Sequence, residues 1–257
     1  MFSLADKTAI VTGGGSGIGR AIARLFSKQG ARVYILDFDE AGAANVATEI
    51  TSEKGQAYAI KCDVSNQAQV REIVQSIVLK NKSIDILVNN AGVAHVGNIE
   101  ATNEEDFMRL FNVNVKGVYN LLQAVIPHMK EKGGAVVNMA SIASSVGIPD
   151  RFAYSMTKGA VVGMTLATAK DYIHYKVRCN CISPARVHTP FVDGFIAKNY
   201  PGKEQEMLEK LSKTQPIGRM AEPVEIAYLA LYLCSDEASF ITGADYPIDG
   251  GFIKLNN

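Results

Sequence analysis

The sequence predicts an α/β fold, a parallel sheet with helices on both faces, in one domain. Two observations carry this. Apolar runs of strand length alternate with amphipathic stretches of helical length from Lys7 to about Leu233, and strand–helix–strand repeated in this way argues for a parallel sheet covered on both sides. A glycine-rich turn also joins the first run to the first helix, where dinucleotide-binding βαβ units keep their phosphate loop.

Strands are expected at residues 8–12, 32–37, 57–61, 84–88, 135–139 and 177–182, with a short last one at 246–248. Helical periods fill 18–29, 41–51, 67–79, 104–130 and 151–173, and Pro223 opens a further helix. No repeat, low-complexity tract or Pro/Gly-rich linker interrupts the chain, so residues 1–257 are expected to form a single domain. Two segments break the rhythm. Residues 102–129 are apolar nearly all round, more than one sheet face requires, and part of that surface is expected to meet another subunit. Residues 186–219 leave the sixth strand with mixed apolar and charged helical pieces, and long excursions in compact domains are usually functional, so a substrate flap is expected there.

Composition limits the function. The chain has 257 residues and no net formal charge, with 26 Lys+Arg against 26 Asp+Glu, whereas a nucleic-acid binder carries a basic excess. Its start lacks a basic segment followed by an apolar core. No run of ~18 apolar residues is available to span a bilayer. The expectation is a cytoplasmic protein with no nucleic-acid or membrane partner. Cys62, Cys179, Cys181 and Cys234 form no C-x-x-C and are expected to be buried free thiols, the 179/181 pair on opposite faces of its strand.

Residues 12–19 read TGGGSGIG and lead into a helical pattern. Glycines allow a sharp turn and close approach to a pyrophosphate, and the helix N-terminus offers free N–H groups. The literal G-x-G-x-x-G fails, because reading from Gly15 puts Arg20 in the last place. T-G-x-x-x-G-x-G fits, through Gly13, Gly17 and Gly19 with Ser16 and Ile18 between them. Asp37 ends the second strand, 18 residues after Gly19. A carboxylate there accepts hydrogen bonds from ribose hydroxyls and repels a 2′-phosphate, which favours NAD over NADP. Phe38, Asp39 and Glu40 bring no cation, leaving Arg20 as the one that could reach a phosphate.

Tyr154 and Lys158 share a helical face in a Y-x-x-x-K pattern that Tyr172 and Lys176 repeat. Position separates them. Tyr154 starts the helix after the fifth strand, at the carboxyl edge of the sheet where open α/β folds bind ligands. Tyr172 lies roughly 27 Å farther along a continuous helix. Ser141 follows the fifth strand and is expected in the same crevice.

Taken with Asp63-Val64, Asn89-Asn90-Ala91-Gly92, Asn114, Ile241-Thr242-Gly243 and Asp249-Gly250-Gly251, these motifs resemble the short-chain dehydrogenase/reductase family over nearly the whole chain. The resemblance implies a doubly wound, Rossmann-type sheet of about seven strands, a nicotinamide cofactor, and a homotetramer or dimer. It assigns catalysis to Asn114, Ser141, Tyr154 and Lys158. Tyr154 would exchange a proton with the alcohol oxygen. An unperturbed tyrosine is a poor base at neutral pH, so Lys158 and the cationic ring of oxidised nicotinamide must stabilise its phenolate. Ser141 would hold the reacting oxygen, Lys158 would also grip the nicotinamide ribose, and Asn114 would position a proton-relaying water. Asn112 is the alternative, but a two-residue shift turns a helical side chain by about 200°. Cofactor contacts are carried over to Asp63, Val64, Asn90, Ala91 and Gly92, and to Pro184, Val187 and Thr189 at the nicotinamide end.

The chain departs from the family after the sixth strand, where Pro184 is followed by Ala185 in place of glycine and then by Arg186. Arg151 lies one helical turn before Tyr154. With His188 these arginines suggest a carboxylated substrate, since a guanidinium grips a carboxylate through two hydrogen bonds. An Arg at the 151 position resembles 3-hydroxybutyrate and keto-deoxy-fuconate dehydrogenases within the family. A solvent-facing Arg151 paired with Asp150 or another acid is the alternative. No metal is expected, because no second ligand sits at a suitable spacing from His188. The reading is thus an NAD-dependent oxidoreductase of a small hydroxy acid or sugar acid. Its rivals are an NADPH-dependent 3-oxoacyl-[acyl-carrier-protein] reductase and a catalytically silent dinucleotide-binding sensor.

Overall fold

The computed structural model describes residues 1–255, with backbone only for Phe191, Phe195, Lys198 and Asn199. Seven strands form one parallel sheet: β1 Thr8–Thr12, β2 Arg32–Asp37, β3 Gln56–Lys61, β4 Ile86–Asn89, β5 Gly134–Met139, β6 Val177–Pro184 and β7 Asp245–Ile248. Their order is β3-β2-β1-β4-β5-β6-β7. The winding reverses between β1 and β4, and a doubly wound sheet opens its ligand crevice at such a reversal, beyond the carboxyl ends of the strands.

The helices are α1 Gly17–Lys28, α2 Glu40–Ser52, α3 Gln67–Asn81, α4 Glu104–Leu110, α5 Gly117–Met129, α6 Phe152–Tyr172, α7 Pro190–Asn199, α8 Glu204–Lys213, α9 Pro223–Cys234 and α10 Phe252–Leu255. Strand alternation divides the core. Ala9, Val11, Val33 and Ile35 pack with α1, α2 and α9 on one face, around the fully buried Phe26. Ile10, Tyr34, Leu36 and Val136 pack with α3, α5 and α6 on the other. Burying a side chain the size of Phe26 stabilises by ~1.5–3 kcal/mol.

Several sequence expectations change. Cys179 and Cys181 lie on the same face, as the two-residue period of a strand requires, not on opposite ones. All four cysteines are buried and free. The start of the fourth strand moves from residue 84 to Ile86, because Asp85 turns its carboxylate onto the Thr8 amide at 2.8 Å. The helix expected over 104–130 is α4 and α5 joined by a π-helical turn, Phe111–Lys116, which contains Asn114. Leu121, Leu122, Val125, Ile126 and Met129 of α5 are buried, whereas Met108, Phe111 and Tyr119 remain exposed.

The excursion after β6 carries α7 and α8. It is tied back by a parallel bridge between Val187 and Ala221, in which the Ala221 amide donates to Arg186 O and the His188 amide to Ala221 O. Ala185, in the family's glycine position, is not among the residues with positive φ, so alanine is accommodated without strain. No helix among the described residues is long and apolar enough to cross a membrane.

Candidate active site

The carboxyl ends of the strands surround one cavity of about 770 Å³. The β1–α1 turn forms its floor. Gly13 has φ +63°, and a Cβ on Gly19 would lie 2.1 Å from Gly13 O, so Gly19 is the close-packing glycine that the literal motif misplaces onto Arg20. Ser16 precedes α1 with no side-chain cap on the helix. The first amides of α1 are therefore free of a protein side-chain partner, as a phosphate site needs, and Ser16, Gly17 and Ile18 line the cavity.

Thr12, which the sequence reading passes over as a site residue, organises the next turn. Its Oγ1 accepts from the Asn90 and Ala91 amides, both at 3.0 Å. The Asn90 side-chain amide donates to Thr12 O at 3.0 Å and Gly13 O at 3.1 Å, which binds the ends of β1 and β4 together. Asp37 accepts from the Gly15 amide at 2.8 Å through Oδ2 and from the Asp39 amide at 3.0 Å through Oδ1. Arg20 forks onto Glu49 of α2, with contacts from 2.9 to 3.1 Å. It is therefore held by an acid of its own. Asp63 accepts from the Ser65 amide and hydroxyl. Asp37, Asp63, Val64, Asn90, Ala91 and Gly92 all line the cavity. An uncapped helix start, a glycine floor and a strand-end carboxylate fit a dinucleotide.

Ser141, Tyr154 and Lys158 meet at the other end, all three lining the cavity. Lys158 is 6% exposed, and its Nζ donates to Met139 O at 2.7 Å and stands 5.7 Å from the centroid of the Tyr154 ring. Burial lowers its pKa to about 8. Burial raises the Tyr154 phenol above the ordinary tyrosine value, while a hydrogen bond with Ser141 and the Arg151 cation pull it the other way. The competing Tyr172 lies at the far end of α6, where Lys130 sits 5.4 Å from its ring centroid.

Asn114 is 1% exposed and is not among the residues lining the cavity. Its Nδ2 donates to Val93 O at 2.9 Å and Thr157 Oγ1 at 3.1 Å, and its Oδ1 accepts from the Val93 amide at 2.8 Å. Both side-chain donors are used within the protein. A water held by this side chain would have to donate to Oδ1, which has one lone pair left.

Arg151 and Arg186 both line the cavity. Arg151 donates to the Asp150 main-chain carbonyl at 2.9 Å, not to its carboxylate. A parallel bridge to Gly97 fixes its backbone. Arg186 donates through Nε to Thr214 Oγ1 at 3.0 Å. Burial, and next the neighbouring Arg151 cation, push Arg186 below the usual arginine value. Neither guanidinium has a carboxylate partner among the described residues. Two close cations without an acid favour an anion between them. His188 is not brought to this cavity: its Nε2 pairs with Asp193 Oδ1 at 2.8 Å. Pro184, Val187 and Thr189 do line it. Gln215, Met220 and Phe252 complete the wall from distant parts of the chain, and no local motif announces them.

A doubly wound sheet with this cavity defines a dinucleotide-binding α/β protein, and comparison with known proteins narrows the class. The family model described as "Enoyl-(Acyl carrier protein) reductase" matches residues 13–253. A 2-keto-3-deoxy-L-fuconate dehydrogenase from Xanthomonas campestris is 39% identical over 251 residues, 97% of this chain and 81% of that protein. Among solved structures, levodione reductase aligns with a TM-score of 0.92 at 33% identity, covering 96% of this chain and 97% of that one. The 3-ketoacyl-(acyl-carrier-protein) reductase from Brucella melitensis, solved with NADH, aligns with a TM-score of 0.88 at 38% identity, covering 97% and 99%. The chain belongs to the short-chain dehydrogenase/reductase family of oxidoreductases, whose members use nicotinamide dinucleotides.

Proposed function

We propose that this protein is an NAD-dependent dehydrogenase that interconverts a secondary alcohol and a ketone on a small carboxylated substrate, a hydroxy acid or sugar acid. The observation that carries the substrate class is the pair Arg151 and Arg186, which line one cavity with Tyr154 and have no acidic partner among the described residues. Each guanidinium has donors left to grip a carboxylate. The Xanthomonas relative, named for a keto-deoxy sugar acid, supports the same class.

The cofactor would be held by Gly13, Ser16, Gly17 and Ile18 at its pyrophosphate, by Asp37 at the adenosine ribose, and by Asp63 and Val64 beside the adenine. Asn90, Ala91, Gly92, Pro184, Val187 and Thr189 would hold its nicotinamide half. A nicotinamide held there would supply the acceptor or donor of the hydride. This chain's residues handle the proton. Ser141 holds the reacting oxygen by hydrogen bond, and the Tyr154 phenolate takes the alcohol proton during oxidation and returns it during reduction. Such proton transfer contributes ~10²–10⁴-fold. Burial opposes the phenolate, so the nearby cations, Lys158 and Arg151, are needed to favour it. Asn114 holds Val93 and Thr157 in place beside this group.

Residues 186–219 act as the substrate flap, since Arg186 and Gln215 reach the cavity from it. Exposed Met108, Phe111 and Tyr119 support a homo-oligomer, dimer or tetramer, formed through α4 and α5. An acyl-carrier reductase fits less well, because its substrate presents an uncharged thioester where this cavity presents two cations. The silent-sensor reading is separated by Tyr154→Phe. The variant is expected to bind NADH with unchanged affinity by fluorescence titration and to lose at least ~10²-fold in turnover. A wild-type protein that binds NADH but turns over no alcohol or ketone would contradict the proposal.

A further inference from the structure

Arg186 leaves β6 on a main chain held by the bridge beside it, its carbonyl accepting from the Ala221 amide at 2.9 Å. Its long side chain still has several rotatable bonds to order before it can present a fork to an anion. Thr214, which is not among the residues lining the cavity, supplies that order.

Thr214 forms the C-terminal cap of α8 and is tied to its last turn twice. Its amide donates to Leu211 O at 3.2 Å and its hydroxyl to the same oxygen at 2.6 Å. The single hydroxyl proton is thereby spent on the helix, and Oγ1 can only accept. It accepts from Arg186 Nε at 3.0 Å and from Gln215 Nε2 at 2.9 Å. One proton given and two received complete the capacity of a hydroxyl. Gln215 is 3% exposed, so the second donor is packed in place and Oγ1 is not free to turn away from the guanidinium.

A guanidinium meets a carboxylate either side-on, through Nε and one Nη, or end-on, through its two Nη groups. With Nε given to Thr214, the side-on approach is closed. The end remains open: neither Nη1 nor Nη2 has a hydrogen-bond partner among the described residues, and Arg186 is half-buried where it lines the cavity.

We propose that Thr214 is a positioning residue for the substrate carboxylate: by holding Nε it fixes the plane and direction of the Arg186 guanidinium, so that the carboxylate is met end-on by Nη1 and Nη2. This rests on the carboxylate reading of Arg186 and deepens it. A guanidinium ordered before the substrate arrives spares the complex the loss of side-chain freedom on binding. Releasing it should therefore weaken binding of the anion and leave the hydride and proton steps alone.

The test is a double-mutant cycle over wild type, Thr214→Val, Arg186→Ala and the double variant, with KM and kcat measured for short hydroxy acids and sugar acids, each beside its uncharged analogue. Thr214→Val keeps the shape of the side chain and removes the hydroxyl. It is expected to raise KM for the acids by about threefold or more, the scale of coupling within one hydrogen-bond network, with kcat and NADH affinity within about twofold. In the Arg186→Ala background the same substitution is expected to change KM by less than about twofold. Thr214→Ser keeps the hydroxyl and is expected to restore the wild-type KM. A merely structural loss would act on charged and uncharged substrates alike and would persist without Arg186. An unchanged KM in Thr214→Val, or an effect of the same size with and without Arg186, would overturn the proposal while a raised KM in Arg186→Ala upholds the carboxylate reading. If no acid is turned over, or Arg186→Ala leaves KM for the acids unchanged, the carboxylate reading fails and the proposal falls with it. Should Thr214→Val fail to fold, Thr214→Ala removes the same hydroxyl and decides by the same cycle.

Discussion

The Asn114 side chain bonds both main-chain polar groups of Val93, accepting from its amide at 2.8 Å and donating to its carbonyl at 2.9 Å. A buried residue in a π-helical turn thereby fixes the loop that follows β4. Substitution by Ala leaves that amide and carbonyl without their partner, at ~1–3 kcal/mol for each group left unsatisfied. Urea denaturation of Asn114→Ala is expected to show a loss of about 2–4 kcal/mol. A loss below about 0.5 kcal/mol, ordinary for a surface change, would mean the bonds do not hold the loop.

Asp37 is expected to set the dinucleotide preference. Asp37→Asn keeps an oxygen for the Gly15 amide and removes the charge that repels a 2′-phosphate. The ratio of kcat/KM for NAD over NADP is expected to fall by about tenfold or more, the equivalent of ~1.4 kcal/mol. An unchanged ratio would place the discrimination elsewhere.

The arginines should act on charged substrates alone. Arg151→Ala and Arg186→Ala are each expected to raise KM for carboxylated substrates by about 10–10²-fold, the ~1.5–3 kcal/mol of a hydrogen bond to a charged group. Uncharged substrates should be affected far less. His188→Ala, whose ring faces Asp193, is expected to leave KM within about twofold, a change well under 1 kcal/mol. Equal effects of either arginine on charged and uncharged substrates would remove the carboxylate role.

Lys158 provides a pH test that needs no substrate. Its folded pKa of about 8 lies below the ~10.4 of an unfolded lysine, so between these values the unfolded chain binds more protons and stability rises with pH. Below pH 8 both states are protonated and the contribution is flat. The difference in unfolding free energy between wild type and Lys158→Met should move in favour of wild type by up to ~1.4 kcal/mol per pH unit between pH 8 and 10. Referring it to the variant cancels the opposite trend of the buried cysteines, which both proteins carry. A difference independent of pH would show that Lys158 keeps an ordinary pKa.

The parts of the site legible in the sequence are those whose geometry is local. The β1–α1 turn announces itself by its glycines, Asp37 by its place at a strand end, and Tyr154 with Lys158 by four-residue spacing read against the strand before it. Strand positions followed from apolar runs bounded by turns. The π-helical turn at Asn114 was not legible, because one wide turn between two helices leaves the apolar period nearly intact. Nor were Gln215 and Phe252, which the excursion and the chain end bring to the cavity through tertiary folding. Arg186 and His188 stand two residues apart, yet Arg186 lines the cavity and His188 pairs with Asp193. Sequence proximity alone could not separate them.

The most direct test of the central claim is the initial rate of dinucleotide reduction at mildly alkaline pH. NAD and then NADP are offered against hydroxy acids and sugar acids, each paired with an uncharged analogue. The account predicts turnover with NAD and with carboxylated alcohols. Turnover confined to uncharged alcohols, or a preference for NADP, would contradict it.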